Sequence, residues 1–394
     1  MVTKEIDVEK ARLDTPACEN VIHFNNAGAA LMPKPVLNSL IGHLNLEATI
    51  GGYEAESREK KKIEAVYKTI ASLINASPIE IALIENATRA WDMAFYSIPF
   101  NTNDRILTAR AEYASNFLAY LQIAKRFGTS IDVIPNDEFG QVSIEELRQM
   151  IDDDVKLISI THVPTNSGLV NPIEKIGHIA NENNIIFLVD ACQSVGQLPI
   201  DVKKIGCDIL SATGRKYLRG PRGTGFLFVN ENLIEKLEPP FVDLHAAEWI
   251  SDHEFRIRED AKRFENWESF VGGKLALGEA VSYAANWGLE NIWSRIQKLG
   301  YRFRKRLGNI PSVELNDIGI VKCGIVSFNV RGQDPRDIKI QLNEKHINVS
   351  ISSKEATRLD MASRSLDSVI RASVHYYNTE DEIDRFCEVI ETLM

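Results

Sequence analysis

Between residues 79 and 230, short apolar and β-branched runs alternate with longer amphipathic stretches. The runs IEIALIE (79–85), DRILTA (104–109), IDVIP (131–135), VKLISITH (155–162), IIFLVDA (185–191), DILSAT (208–213) and GTGFLFV (223–229) have the length and residue types of buried strands. Most are separated by helically spaced apolar positions, as in SNFLAYLQIAKRF (115–127) and IEKIGHIANEN (173–183). Strands alternating with helices predict an α/β fold with a mostly parallel sheet flanked by helices. A glycine-rich turn, in place of a helix, separates the last two runs, so one strand is expected to be antiparallel.

Beyond residue 270 the rhythm changes. A long helical stretch (274–308) leads into GIVSFNV (324–330), DPRDIKIQLNEK (334–345), INVSIS (347–352), VIRASVHYY (369–377) and TEDEIDRFCEVIETLM (379–394). This pattern predicts a smaller α+β domain. The expected division is a large α/β domain over 20–270 and a small domain over 271–394, with residues 1–19 packed on the latter. No Gly/Ser/Pro linker separates the two, so they are expected to pack around a connecting helix.

Composition narrows the function classes. The 394 residues are 44% apolar and 25% charged, ordinary for a soluble globular chain. A net charge of −10 argues against a nucleic-acid partner. The apolar runs are too short for a membrane span, and MVTKEIDVEKARLD has no signal-like apolar core. Cysteines 18, 192, 207, 323 and 387 form no CxxC pair, which predicts reduced thiols in a cytoplasm, no disulfide framework and no metal site.

Ligands in open α/β sheets sit beyond the carboxyl ends of the strands. Asp190 follows IIFLV there, where a carboxylate is costly unless a cation meets it. By itself it serves equally well as a helix cap. Lys216 follows the next run in SATGRKYLRGPRGTGF (211–226). A lysine held near Arg215 has a lowered pKa and becomes a nucleophile able to form a Schiff base. The plainer alternative is a solvated basic loop of Lys216, Arg219 and Arg222. Ala87 and Thr88 open a helix after a strand, a place where backbone N–H groups bind anions, though threonine capping is common. Thr213 and Arg215 could join the same anion. Tyr113 in AEYASN could lie over a flat ligand or pack in the core. Asn166, in the turn THVPTNSGLVNP, could donate to a ligand oxygen or simply form the turn. GPRGTG lacks the ending of a P-loop and the strand–GxGxxG–helix order of a dinucleotide site.

Taken together, these groups describe one ligand. Asp190 suits a basic ring nitrogen, Asn166 and Gln193 a phenolic oxygen, Lys216 an aldehyde, and Thr88, Thr213 and Arg215 a phosphate. That ligand is pyridoxal phosphate.

From FNNAGAALMPKPV (24–36) to RASVHYYNTEDEID (371–384), with LVDACQSVGQLPID and TGRKYLRGPRGTGF between, the chain resembles the class V aminotransferase family of fold-type I pyridoxal-phosphate enzymes. That group includes cysteine desulfurases and isopenicillin N epimerase-like proteins. The resemblance implies a Lys216 Schiff base, Asp190 on the ring nitrogen, Gln193 on the ring oxygen with Asn166 near it, and Tyr113 stacked on the ring. It implies a phosphate held by Ala87, Thr88, Thr213 and Arg215, and a substrate carboxylate on Arg371 near Asn26 and Gly28. It also implies a homodimer, in which Tyr53 would reach the neighbouring site, and an amino-acid substrate. Two departures stand out. The stretch SISSKEATRLDMASRSLDSVIR, where desulfurases carry a loop cysteine, has none, so sulfur transfer to a protein thiol is not expected. RFENWESF (263–270) stands where the family's Glu-x-Gly-Thr contact to a partner's phosphate usually lies. The leading expectation is an aminotransferase-type enzyme acting at an amino-acid α-carbon. The alternatives are a C–S or sulfoxide β-lyase, an epimerase, or a non-catalytic binding protein.

Overall fold

The computed structural model describes residues 5–393. Its centre is a seven-stranded sheet. From one edge to the other the strands are Ile81–Ile84, Gly225–Val229, Ile209–Thr213, Ile186–Asp190, Val155–Thr161, Arg105–Ala109 and Ser130–Ile134. All neighbours are parallel except Gly225–Val229, which is antiparallel to both of its neighbours. The glycine-rich turn before that strand makes the reversal, as expected.

The sheet is covered on both faces, and the period of two along its strands sorts side chains between two cores. Leu188 points to one face with Leu157, Ile209 and Leu227, beneath Trp91 and Phe95 of the helix Ala87–Phe95. Phe187 and Val189 point to the other, with Ile158, Leu210, Phe226 and the helix Ile173–Glu182. That second core continues without interruption into a four-stranded antiparallel sheet ordered Val313–Leu315, Ile325–Val330, Ser368–Ser373, Ser350–Ser353. The rings of Phe24, Phe303 and Phe386 meet at 4.9–5.6 Å where the N-terminal segment, the helix Leu289–Gly308 and the helix Glu380–Thr392 converge.

Two expected elements are divided. The stretch 274–308 forms two helices, Val271–Trp287 and Leu289–Gly308, parted at Gly288, whose φ of +81° breaks the helical path. The run 347–352 splits as well. Ile347–Asn348 pairs in parallel with Ile22–His23, while Ser350–Ser353 joins the four-stranded sheet. The chain's start docks on its end: Arg12 Nη1 donates to Glu382 Oε1 at 2.7 Å and to the Tyr377 carbonyl at 3.2 Å.

Candidate active site

The carboxyl ends of the central strands converge with the first turn of the helix Ala87–Phe95. Thr161 and Asp190 end their strands, Thr213 ends a third, and Lys216 follows within a tight loop. In that loop the Gly214 N–H donates to the Thr224 carbonyl at 2.9 Å, Gly220 to Gly214 at 2.8 Å and Arg219 to Lys216 at 2.9 Å. Arg219 is no solvated loop cation. It is buried, in the left-handed region at φ +63°, with its guanidinium 4.4 Å from the Tyr377 ring centre. It donates to the Leu31 carbonyl at 2.8 Å, to Tyr376 Oη at 2.7 Å and to Thr15 Oγ1. The lysine loop is thus tied to both ends of the chain. From beneath, the His375 ring bonds the Tyr217 carbonyl at 3.0 Å.

These elements enclose a pocket of about 510 Å³, its open mouth included. Lys216, Asp190, Tyr113, Gln193, Ala87, Thr88, Thr213 and Arg215 all line it. Asn86, Thr161, Val163, Thr165 and Cys192 complete the wall. A roomier hollow beside Glu265 and Lys274 has its central charge already engaged. There Glu265 accepts from the Leu83 N–H at 2.8 Å and Tyr67 Oη at 3.0 Å, and lies 3.4 Å from Lys274.

Electrostatics single out three groups. Burial pushes the Lys216 pKa below that of an ordinary lysine; Arg215 and Arg371 push the same way, and Asp190 opposes them. Asp190 is buried, and its carboxylate accepts the Cys192 N–H at 2.9 Å and Asn116 Nδ2 at 3.1 Å. Arg371 rises from the strand Ser368–Ser373 with its Nη1 on the carbonyl and hydroxyl of Thr165, at 3.1 and 2.6 Å. Its Nε is buried without a partner, and burial lowers its pKa to about 10. A buried guanidinium paired only with neutral oxygens is short of an anion.

A sequence model described as Aminotransferase class-V matches residues 22–386. The chain belongs to the class V aminotransferase family. A probable cysteine desulfurase of Pyrococcus abyssi is 30% identical over 98% of this chain and 97% of its own length. One from Synechocystis is 31% identical over 94% of this chain and 90% of its own. The solved apo cysteine desulfurase of Thermococcus onnurineus NA1 superposes with a TM-score of 0.93 at 28% identity, covering 100% of this chain and 99% of that one. The fold is that of the fold-type I enzymes, and the chain is a pyridoxal-phosphate enzyme of class V.

The pocket's residues fit that cofactor. Asn86 caps its helix by accepting the Arg89 N–H at 2.9 Å, which leaves the first-turn N–H groups of Ala87 and Thr88 for a phosphate. Gln193 Nε2 already donates to the Ala27 carbonyl at 3.1 Å, while its Oε1 is buried and unpartnered, as for an amide awaiting a further polar group. Tyr113 stands at the N-cap position of the helix Ala114–Phe127, lines the pocket and is 38% exposed as a residue, so its ring could lie over a planar ligand.

Three residues expected near the pocket also bind other parts of the chain. Asn166 is fully buried, and its Nδ2 donates to Thr357 Oγ1 and to Asp360 Oδ2 at 3.4 Å, which docks the segment 354–363. Asn26 donates to the Ser373 carbonyl at 2.7 Å and accepts from Tyr377 Oη, joining the chain's start to its end. The Gly28 carbonyl accepts from Arg215 Nη1, a residue of the pocket lining. Tyr53 lies exposed at the start of the helix Gly52–Ile74. Sequence reasoning overlooked Glu112, Asn116 and Thr165. Glu112 and Asn116 are four apart at a helix start in AEYASN, a spacing that puts both on one face. No local signal marks Thr165.

Proposed function

We infer that the enzyme cleaves the β-carbon–sulfur bond of a cysteine-like amino acid. Relatives at 30–31% identity are named probable cysteine desulfurases, so the C–S lyase reading takes precedence over transamination. The observation that carries it is the pairing of one amine of lowered pKa, Lys216, with a buried arginine, Arg371, short of an anion. Arg371 would hold the substrate's carboxylate in a bidentate grip, setting the α-carbon above Lys216. Bound pyridoxal phosphate supplies the electron sink for charge left at that carbon. Asp190 would hold the ring nitrogen's proton. The Lys216 amine would take the α-proton, and the electron pair of the breaking C–S bond would leave with sulfur.

The fate of sulfur distinguishes this chain from a desulfurase that uses a loop thiol. No cysteine lies between 350 and 371. Cys192, at the pocket wall, has its thiol pushed far up by burial, which leaves it a poor nucleophile. Sulfur would therefore leave as free sulfide, and hydrolysis of the released enamine would give pyruvate and ammonia.

The test incubates the cofactor-loaded protein with cysteine, and separately with alanine plus a 2-oxo acid. Sulfide and pyruvate in equal amounts from cysteine support the reading. Amino-group transfer to the 2-oxo acid without sulfide would overturn it.

A further inference from the structure

Beneath Asp190 lies a second buried carboxylate that none of the steps above uses. Glu112 is 3% exposed and sits between the strand Arg105–Ala109 and the helix Ala114–Phe127. Five donors converge on it. Its Oε1 accepts the Tyr113 N–H at 2.8 Å, Asn116 Nδ2 at 2.8 Å and the Thr161 hydroxyl. Its Oε2 accepts Thr108 Oγ1 at 3.1 Å and the Thr161 N–H at 3.3 Å. Asp190 and Tyr120 are titratable side chains close to it. A carboxylate surrounded by donors is satisfied in its ionised form. Burial nevertheless lifts its pKa to about 7, with Asp190 adding to the rise while the Thr161 hydroxyl and Asn116 amide hold it down.

Asn116 connects the two acids. Its Nδ2 donates to Glu112 Oε1 at 2.8 Å and to Asp190 Oδ2 at 3.1 Å. One carboxamide nitrogen carries two hydrogens, so each acid receives one. The first bond orients the amide, and the second is then held on Asp190. Tyr113, whose N–H is fixed by the same Glu112, lines the pocket.

We propose that Glu112 is a positioning residue that acts through Asn116 to orient Asp190, and through its charge to strengthen Asp190's hold on the cofactor's ring nitrogen. Asp190 alone on a ring cation makes a two-body pair. A second negative charge one amide away raises the proton affinity of that pair. The proposal rests on the cofactor and on Asp190 as its partner, and is independent of which bond the enzyme breaks.

The experiment follows the cofactor's visible band in holoenzyme across pH and after dilution, for the unmodified protein, E112Q, E112D and N116A. In E112Q the midpoint of the band's pH transition falls by about 1 unit, because a nearby negative charge that favours the protonated form is gone. E112D retains the charge and restores most of that shift. N116A keeps the charge, loses the bridge, and releases cofactor about tenfold faster, as expected for one hydrogen bond to a charged group. Midpoint and release rate both unchanged in E112Q and N116A, with only the melting temperature lowered, would overturn the proposal. If E112Q does not fold, N116A decides, since four of the five donors to Glu112 remain. A missing band in the unmodified protein would instead sink Lys216 as the anchor.

Discussion

Arg371 is a buried cation of the site whose charge meets no anionic partner among the described residues. Its Nη1 is on Thr165 and its Nε is unpartnered inside the protein. Neutral oxygens offset only part of the cost of burying a guanidinium, so a bound carboxylate would recover a charge-assisted hydrogen bond or two. R371A is expected to lower kcat/KM for the amino acid by about 10- to 150-fold, the equivalent of 1.5–3 kcal/mol. The loss should appear mainly in KM, with the cofactor's band retained. Loss of the band along with activity would show that Arg371 supports the cofactor instead. At this scale the sequence was informative for residues at strand ends. Asp190, Thr213 and Lys216 each stand directly after an apolar run, and the pocket gathers all of them. It carried no sign of what Asn166 and Asn26 hold in the fold, where their Nδ2 groups donate to partners distant in sequence, Thr357 and Ser373. A turn asparagine looks the same in sequence whichever partner it finds.

Among the elements, the lysine loop is held by backbone close approach. Gly196, at φ +90°, lies under it, and a β-carbon there would come within 2.5–2.6 Å of the Tyr217 carbonyl group and the Leu218 nitrogen. Backbone cannot swing aside as a long side chain can. G196A is therefore expected to cost about 1–3 kcal/mol for the strained backbone and to shift Lys216 next door. Denaturant unfolding should show the stability loss, and cofactor reconstitution should be weaker as well. Normal reconstitution in a destabilised G196A would place the glycine's role in the scaffold alone. The strands themselves were legible from their apolar runs, while the break at Gly288 was not. A glycine inside a helical pattern continues or ends it according to φ, and here the packing of Trp287 on Tyr376, with ring centres 5.9 Å apart, accompanies the break.

Across the whole molecule, stability should depend on buried histidines. Burial holds His162 down to about 3, and lowers His23 and His375 as well. A base with a depressed folded-state pKa contributes stability that is present above its unfolded pKa, near 6.5, and is lost as pH falls toward the folded value. For His162 that amounts to about 2 kcal/mol between pH 6.5 and 5. Glu112 pulls the other way. With its folded pKa raised to about 7, its contribution is present below about 4.5 and is lost as pH rises. Three histidines outweigh one glutamate, so the protein should lose stability on acidification from pH 7.5 to 5. Denaturant midpoints at the two pH values test this, and H162Q should show a smaller difference than the unmodified chain. An equal difference in both would refute the assignment to His162.

What the sequence by itself determined is local. Runs of apolar β-branched residues dictate strands, a glycine-rich turn without an intervening helix dictates the antiparallel member, and polar residues directly after such runs must emerge at the sheet's carboxyl edge. These follow from the period of the chain and the cost of burying polar groups, which need no knowledge of distant residues. The tertiary structure decided which of those polar residues meet. It brought Arg371 to Thr165 through a strand that pairs with Ser327 on one side and Ser350 on the other. It buried Arg219 in a cage of tyrosines and joined Glu112 to Asp190 through Asn116. A side chain's partner is chosen by packing between elements far apart in the chain, and local periodicity carries no record of that choice.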